Sequence, residues 1–257
     1  LEADGGIHVT GAGGGPSITG LDLVGRRGLP LSRGFQLSGA EMFDLSTLES
    51  RMGRAVSRHS RDALPQREFR AGIPYEAGLL KHFHALRPLK IRCVAPTRGV
   101  RQTLDRLFAS LPCRMDVQPA PVRRRDLNDP ADADVQRMGE SAPATGADLG
   151  FVIDEDGQRC AVVDERGSIV AFPRLAGLLA RHHLAEHPGS VIVIADRLAP
   201  ALPETIERAG GRSILCGPTM QDLATAMREH RSAMGIGDQR VWFRELFPTS
   251  DAVLTLA

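Results

Sequence analysis

The chain has no apolar run approaching the ~20 residues that a membrane-spanning helix needs. It has almost no net charge either, with 32 Lys and Arg against 31 Asp and Glu. The first lack excludes a spanning helix. The second removes the electrostatic case for nucleic acid or a membrane surface as a partner. Cysteine is sparse: Cys93, Cys113, Cys160 and Cys216 stand far apart with no metal-ligand spacing. Such isolated thiols fit a reducing cytoplasm better than a disulfide scaffold. A signal peptide and an initiating Met are also missing, and the chain opens just before a strand, so we expect a piece of a longer protein.

What is present is an alternation of strand and helix patterns. The 257 residues suit one large domain or two to three small ones, with ample length for buried cores. Residues 89–95 (LKIRCVA) carry a strand pattern, and a turn at 96–100 leads into an apolar-periodic helix over 100–111. A Pro- and charge-rich crossing, 118–133, precedes a helical stretch that should end near a loop at 141–147. Within that crossing Arg123, Arg124 and Arg125 are followed at once by Asp126, which reads as solvated surface. Residues 149–153 (LGFVI) and 160–163 then form an expected hairpin around the turn DEDGQR, Asp154 to Arg159.

A second unit repeats the grammar. A helix over 175–187 leads to 190–195 (SVIVIA), a β-branched run of the kind found in a parallel strand buried on both faces. A helix at 202–209, ended by Gly210 and Gly211, precedes a strand at 212–216 and a helix at 221–230. Residues 72–75 and 165–173 read as boundaries. The pattern argues successive α/β domains with mixed sheets flanked by helices.

Several motifs fail on their own terms. The loop after the strand at 7–10 has four glycines in five positions, and its backbone N–H groups could cradle an anion. A dinucleotide G-x-G-x-x-G begun at Gly11 meets Pro16 at its sixth position, and no Walker lysine follows. The acidic turn is no EF-hand, because Arg159 stands where that loop needs Gly. Two carboxylates on one tight turn still suit Mg²⁺ if a phosphate completes the shell, against the plainer reading of an acidic β-turn. His183 and His187 lie at a helix C-terminus, where the dipole explains them. There is no H-E-x-x-H order, no nucleophile elbow and no credible Ser/His/Asp arrangement.

Three stretches together resemble the α-D-phosphohexomutase family, the phosphoglucomutases and phosphomannomutases. GADLGFVIDEDGQRCAVVDERGSIV looks like that family's magnesium loop D-G-D-x-D-R and its V-V-D-x-x-G hairpin. GGIHVTGAGGGPSITGLDLVG aligns with its phosphoserine stretch, G-G-I-x-V-T-A-S-H-N-P-P-x-x-N-G-x-K. GIGDQRVWFRELFPTSDAVLTLA is similar to its sugar-recognition loop G-G-E-x-S-G-H and the segment after it. The resemblance implies part of domain I over residues 1–68, domain II over 69–169 and domain III over 170–257. It also implies an intramolecular phosphoryl transfer on hexose phosphates, carried by a phosphoserine and a Mg²⁺ held by three aspartates and the serine phosphate.

Residue by residue, the match is depleted. The phosphoserine position is Ala12, its His and Asn neighbours are Gly13 and Gly14, and the family lysine is Asp22. Asp154 and Asp156 match two metal ligands, but the third position is Gln158. Arg159 matches the family arginine, and Asp238 aligns with the sugar-loop Glu. The S-G-H of that loop has shrunk to Gln239-Arg240, two residues shorter. The resemblance therefore implies a degenerate member: Mg²⁺ weakened and a hexose phosphate met by Arg159, Asp238 and Arg240. The alternative is a structural or regulatory protein with a vestigial cleft, working through a protein partner.

Overall fold

The structure is a computed structural model, and it describes residues 5–10, 20–25, 34–36, 42–44, 68–83, 87–198, 200, 202–246 and 249–257. Short antiparallel pairs occupy the N-terminal part: β1 (Gly5–Thr10) with β2 (Gly20–Gly25), and β3 (Gly34–Gln36) with β4 (Met42–Asp44). In the first pair Ile7, Val9 and Leu21 are all more than 60% exposed. That is the apolar face of a ribbon with nothing packed on it among the described residues.

Two larger sheets follow, built to one plan. The first takes β5 (Lys90–Val94), β6 (Arg114–Gln118), β7 (Leu149–Ile153), β8 (Cys160–Asp164) and β9 (Ile169–Val170) in the order β6-β5-β7-β8-β9. β5 pairs parallel with both β6 and β7, and β7 turns back on β8 as an antiparallel hairpin. The second takes β10 (Val191–Ala195), β11 (Arg212–Cys216), β12 (Met234–Gly237) and β13 (Arg240–Phe243) in the order β11-β10-β12-β13. Again the first strand is central and parallel to its neighbours, and the third turns back on the fourth. The β7–β8 and β12–β13 turns are thus equivalent positions in two copies of one topology.

Strand alternation divides each sheet between two cores. Phe151 and Ile153 of β7 face α1 (Gly72–Leu79) and α2 (Arg98–Phe108), where Leu79, Leu104, Leu107 and Phe108 are buried. Val152 faces the other way, onto Val135, Met138 and Ala142 of α3 (Ala133–Thr145). In the second sheet Ile192 and Ile194 meet α4 (Phe172–Glu186) and α5 (Pro203–Arg208) through Ala176, Ala180, Leu184 and Ile206. Val193 and Trp242 meet Leu223 and Met227 of α6 (Met220–Glu229). The run at 191–195 is buried on both faces, as its β-branched composition predicts.

The C-terminal helix α7 (Ala252–Leu256) joins the first unit's core, with Ala252, Val253 and Leu254 packed among Phe151, Ile153 and Cys160. Its cap, Asp251, accepts the Leu254 N–H at 2.8 Å and the Tyr75 hydroxyl at 2.7 Å. Burial raises the Asp251 pKa despite those two donors.

Two expectations from sequence are corrected, the loop at 141–147 and the solvated arginine knot, and one strand was not expected. The loop expected at 141–147 is helical to Thr145, because burial of Ala142 beside Met138 carries α3 past Pro143, and Gly146 at φ 63° ends it. The residues expected to mark a boundary, 72–75, fall in the first turn of α1. Residues 114–118 form β6, an edge strand whose polar alternation (Arg114, Asp116, Gln118) hides it from an apolar-run criterion. The arginine knot is not all solvated: Arg125 is 1% exposed. Its Nε donates to Asp134 at 2.8 Å, and its other nitrogens donate to the carbonyls of Arg123 and Pro121. Arg123 adds bonds to Asp132 and Asp134, and Arg137 also pairs with Asp134.

Candidate functional site

The β7–β8 turn is wound around one carboxylate. Asp154 is fully buried, and its Oδ1 accepts the backbone N–H groups of Gln158 (2.8 Å) and Arg159 (3.2 Å). Its Oδ2 accepts the Arg159 Nε at 2.8 Å. Gly157, at φ 72°, supplies the left-handed residue that closes the loop. Burial opposes the Arg159 charge, but the Asp154 hydrogen bond and the charges of Asp154, Glu155 and Asp238 outweigh it and raise its pKa. Glu155 points inward instead, where burial raises its pKa and the Arg125 Nη1 lies 3.8 Å away.

The equivalent turn of the second unit is as short as a hairpin allows. Gly237 pairs with Arg240, leaving Asp238 and Gln239 as a two-residue loop with φ of 44° and 58°. Positive φ at both central residues matches a type I′ turn, where Asp is tolerated and Gln is not favoured. The shortening read from sequence at Gln239-Arg240 is this tight turn. Immediately after it Arg240 lies in the strand, its side chain 13% exposed and its Nη1 3.5 Å from Asp238. The same nitrogen approaches the Met220 sulfur at 3.2 Å, while the buried Nε has no hydrogen-bond partner.

The charges of the two turns act on one another. Burial, and then the nearby Arg159 charge, lower the Arg240 pKa, opposed by Asp238, Asp154 and Asp156. Third in the group is the segment before α7: the Ser250 hydroxyl donates to the Gln158 side-chain oxygen at 3.3 Å, and the Ala252 N–H donates to the Gly157 carbonyl at 3.0 Å. So six of the residues singled out in the sequence, Asp154, Asp156, Gln158, Arg159, Asp238 and Arg240, stand on these two turns and their flanks. Ala12, Gly13 and Gly14 lie outside the described residues. Asp22 sits in β2, in register with His8.

Sequence reasoning missed Ser250 and the Tyr75–Asp251 pair, which brace the site from behind. The cap had a visible signal, an Asp immediately before the apolar run AVL. Tyr75 had none, because 176 residues separate it from Asp251.

For Mg²⁺, the residues present do not make a fit. The ion demands near-ideal octahedral oxygen geometry with one or two free carboxylates. Here both Asp154 oxygens are engaged by three donors, one of them a guanidinium. Where the resemblance calls for a third carboxylate there is a neutral amide, Gln158, already accepting from Ser250. No cluster of three or more His, Cys, Asp or Glu with metal-binding geometry occurs among the described residues.

No family model matches the chain. A mixed α/β architecture of two units with one repeated sheet topology defines the class of fold. A solved phosphoglucomutase/phosphomannomutase family protein of Burkholderia thailandensis shares it, with a TM-score of 0.80 over 98% of this chain and 54% of that one, at 22% identity. Among curated proteins, the phosphohexose mutases of Xanthomonas campestris pv. campestris are 28% identical over 247 residues, 91% of this chain and 52% of theirs. The phosphomannomutase/phosphoglucomutase of Pseudomonas putida is 41% identical over 71 residues, 28% of this chain and 15% of its own length. The chain is similar to phosphohexomutases in sequence and shares their fold, and it spans about half the length of the first of these relatives.

Proposed function

We propose that this chain is a phosphohexomutase-like protein that receives a hexose phosphate in its cleft without passing a phosphoryl group through itself. The observation that carries the reading is Ala12, aligned with the family's phosphoserine. A methyl group can neither accept nor donate a phosphoryl group, so the covalent shuttle has no carrier. Thr10, two residues earlier, belongs to β1 and not to the loop tip. Phosphoryl transfer relies on positioning and charge neutralisation, and the losses at Gln158 and Asp22 fall on those same functions.

Retention of the sugar phosphate is supported by the cations that remain. Arg159 and Arg240 stand at the two equivalent hairpin turns, and the Arg240 Nε has a donor to spare. Asp238 stands ready to accept from sugar hydroxyls. Calorimetric titration with glucose 1-phosphate and mannose 1-phosphate tests the reading. Saturable binding at micromolar to low millimolar ligand is expected, and no heat at millimolar ligand from folded protein would refute it.

A second reading, a structural or regulatory protein with an empty cleft, is favoured by one observation. Ile7, Val9 and Leu21 of the β1–β2 ribbon form an exposed apolar strip suited to a protein partner. On that reading the titration is silent and the ribbon variant Val9→Lys loses the partner.

A further inference from the structure

We propose that a cavity ringed by Arg228, Arg231 and Arg244, at the end of the second sheet where β10 and β12 begin, is a binding site for a small phosphoryl-bearing anion. The three arginines line one space of about 230 Å³ together with Met227 and Ser232. Among the described residues no acidic side chain lines it. The acidic neighbours in sequence, Glu229 and Glu245, stand outside it, and three cations against two anions still leave a positive balance. None of the three arginines has an ion pair or a side-chain hydrogen bond with a described residue. The cavity is separate from the hairpin-turn residues described above. Ser232 precedes β12 and the Asp238-Gln239 turn follows it, so about 13 Å of strand lies between them.

The backbone presents these arginines in a strained but well-anchored turn. α6 ends in a Schellman motif: the Ser232 N–H donates to the Met227 carbonyl at 2.9 Å, and the Arg231 N–H donates to the Arg228 carbonyl at 3.2 Å. The residue just past such an end is usually glycine, because it must be left-handed. Here it is Arg231, at φ 49°. Its side chain is exposed and unpaired, so the fold itself gains nothing from an arginine there. Ser232 is 2% exposed, with its hydroxyl 2.8 Å from the Val191 carbonyl and 2.6 Å from the Met234 carbonyl, which pins the turn to β10 and β12. Arg244 approaches from another side. Its N–H donates to the Ala233 carbonyl at 3.0 Å, continuing the β12–β13 ladder, and strand alternation sends its side chain to the α6 face, as it does Trp242.

The plainer reading is a set of solvated arginines near a helix C-terminus. The helix dipole accounts for Arg228 in the last turn, but not for a left-handed Arg231 or for Arg244. That dipole, about half a negative charge, is outweighed by three whole positive ones. Like charges around one space repel, and an anion between them removes the repulsion. Each guanidinium offers a planar fork of donors matched to phosphate oxygens. A phosphoryl group has oxygens in several directions and up to two charges, which a single carboxylate lacks. The volume is smaller than the roughly 300–1,000 Å³ of pockets for larger organic ligands, so the cavity suits inorganic phosphate, pyrophosphate or the phosphoryl end of a metabolite.

The test is calorimetric titration of the folded chain with pyrophosphate, inorganic phosphate and citrate, the last a polycarboxylate control. A saturable pyrophosphate site is expected, weakened by added salt as exposed charges are, with citrate binding less tightly. Arg244→Gln should weaken pyrophosphate about tenfold, the scale of one charge-assisted hydrogen bond. Arg231→Gly should weaken it similarly while raising the melting temperature, because glycine relieves the left-handed backbone. Arg181→Gln removes the same charge from an exposed position on α4, across the sheet, and should leave the affinity unchanged. A thermal melt confirms that each variant is folded.

Pyrophosphate binding that survives both Arg231→Gly and Arg244→Gln would put the anion elsewhere and overturn the proposal. So would the absence of saturation at millimolar pyrophosphate, or an equal loss of affinity in Arg181→Gln. Citrate binding as tightly as pyrophosphate would overturn the phosphoryl assignment.

Discussion

Arg125 shows how an exposed-looking residue can be part of the interior. Its neighbours in sequence are charged, but its guanidinium is fully enclosed by Asp134 and two carbonyls. Removing one partner of such a group leaves the other charge buried. Arg125→Ala should therefore cost about 3–5 kcal/mol in urea unfolding, far above an exposed ion pair. A second residue-scale expectation concerns the Tyr75–Asp251 bond. Burial raises the Asp251 pKa, so the folded state holds its proton to higher pH than the unfolded chain does. Stability from this group is greatest below the ordinary aspartate pKa and declines as pH rises toward the folded value. Tyr75→Phe removes a donor to the carboxylate and widens that gap. Its cost, about 1–3 kcal/mol near pH 7, should shrink as pH falls and Asp251 becomes protonated, which unfolding curves at several pH values will check.

At the scale of elements, much was legible because the code is local. The β-branched run at 191–195, the Gly210 stop and the hairpin around Asp154 all follow from periodicity and turn chemistry, and each is present. What was hidden depends on neighbours distant in sequence. β6 is polar because it is an edge, and β12 (MGIG) holds two glycines because α6 lies directly on it. A Cβ at Gly235 would lie 2.5 Å from the Met227 sulfur. Gly150 is the counterpart in the first sheet, where a Cβ would meet Met138 Cγ at 2.6 Å. Gly150→Ala should accordingly lose about 1–3 kcal/mol by overpacking, less in a Met138→Ala background, where space has been opened. The Asp238-Gln239 turn should respond in the opposite direction. Gln239→Gly relieves a positive φ in a non-glycine residue and should raise the melting temperature, with a gain of about 1 kcal/mol.

For the whole molecule, the repeated topology explains why the candidate site lies where it does. Equivalent hairpin turns of the two units carry the candidate residues, one Asp154, Asp156 and Arg159, the other Asp238 and Arg240. The sequence revealed which residues stand at each turn, since the motifs are contiguous. It did not reveal that Arg159 occupies Asp154, that Gln158 is held by Ser250, or that Arg240 has a nitrogen without a partner. The Arg159–Asp154 bond lies within one turn and depends on its exact winding, whereas the Gln158–Ser250 bond joins segments 92 residues apart. The central claim is that the family's fold persists here with a cleft that binds but does not transfer. The most direct measurement is intact-protein mass spectrometry after incubation with glucose 1,6-bisphosphate, with the folded state verified in parallel. The account predicts unmodified protein at every time point. A stable phosphorylated species, on any side chain, would contradict it.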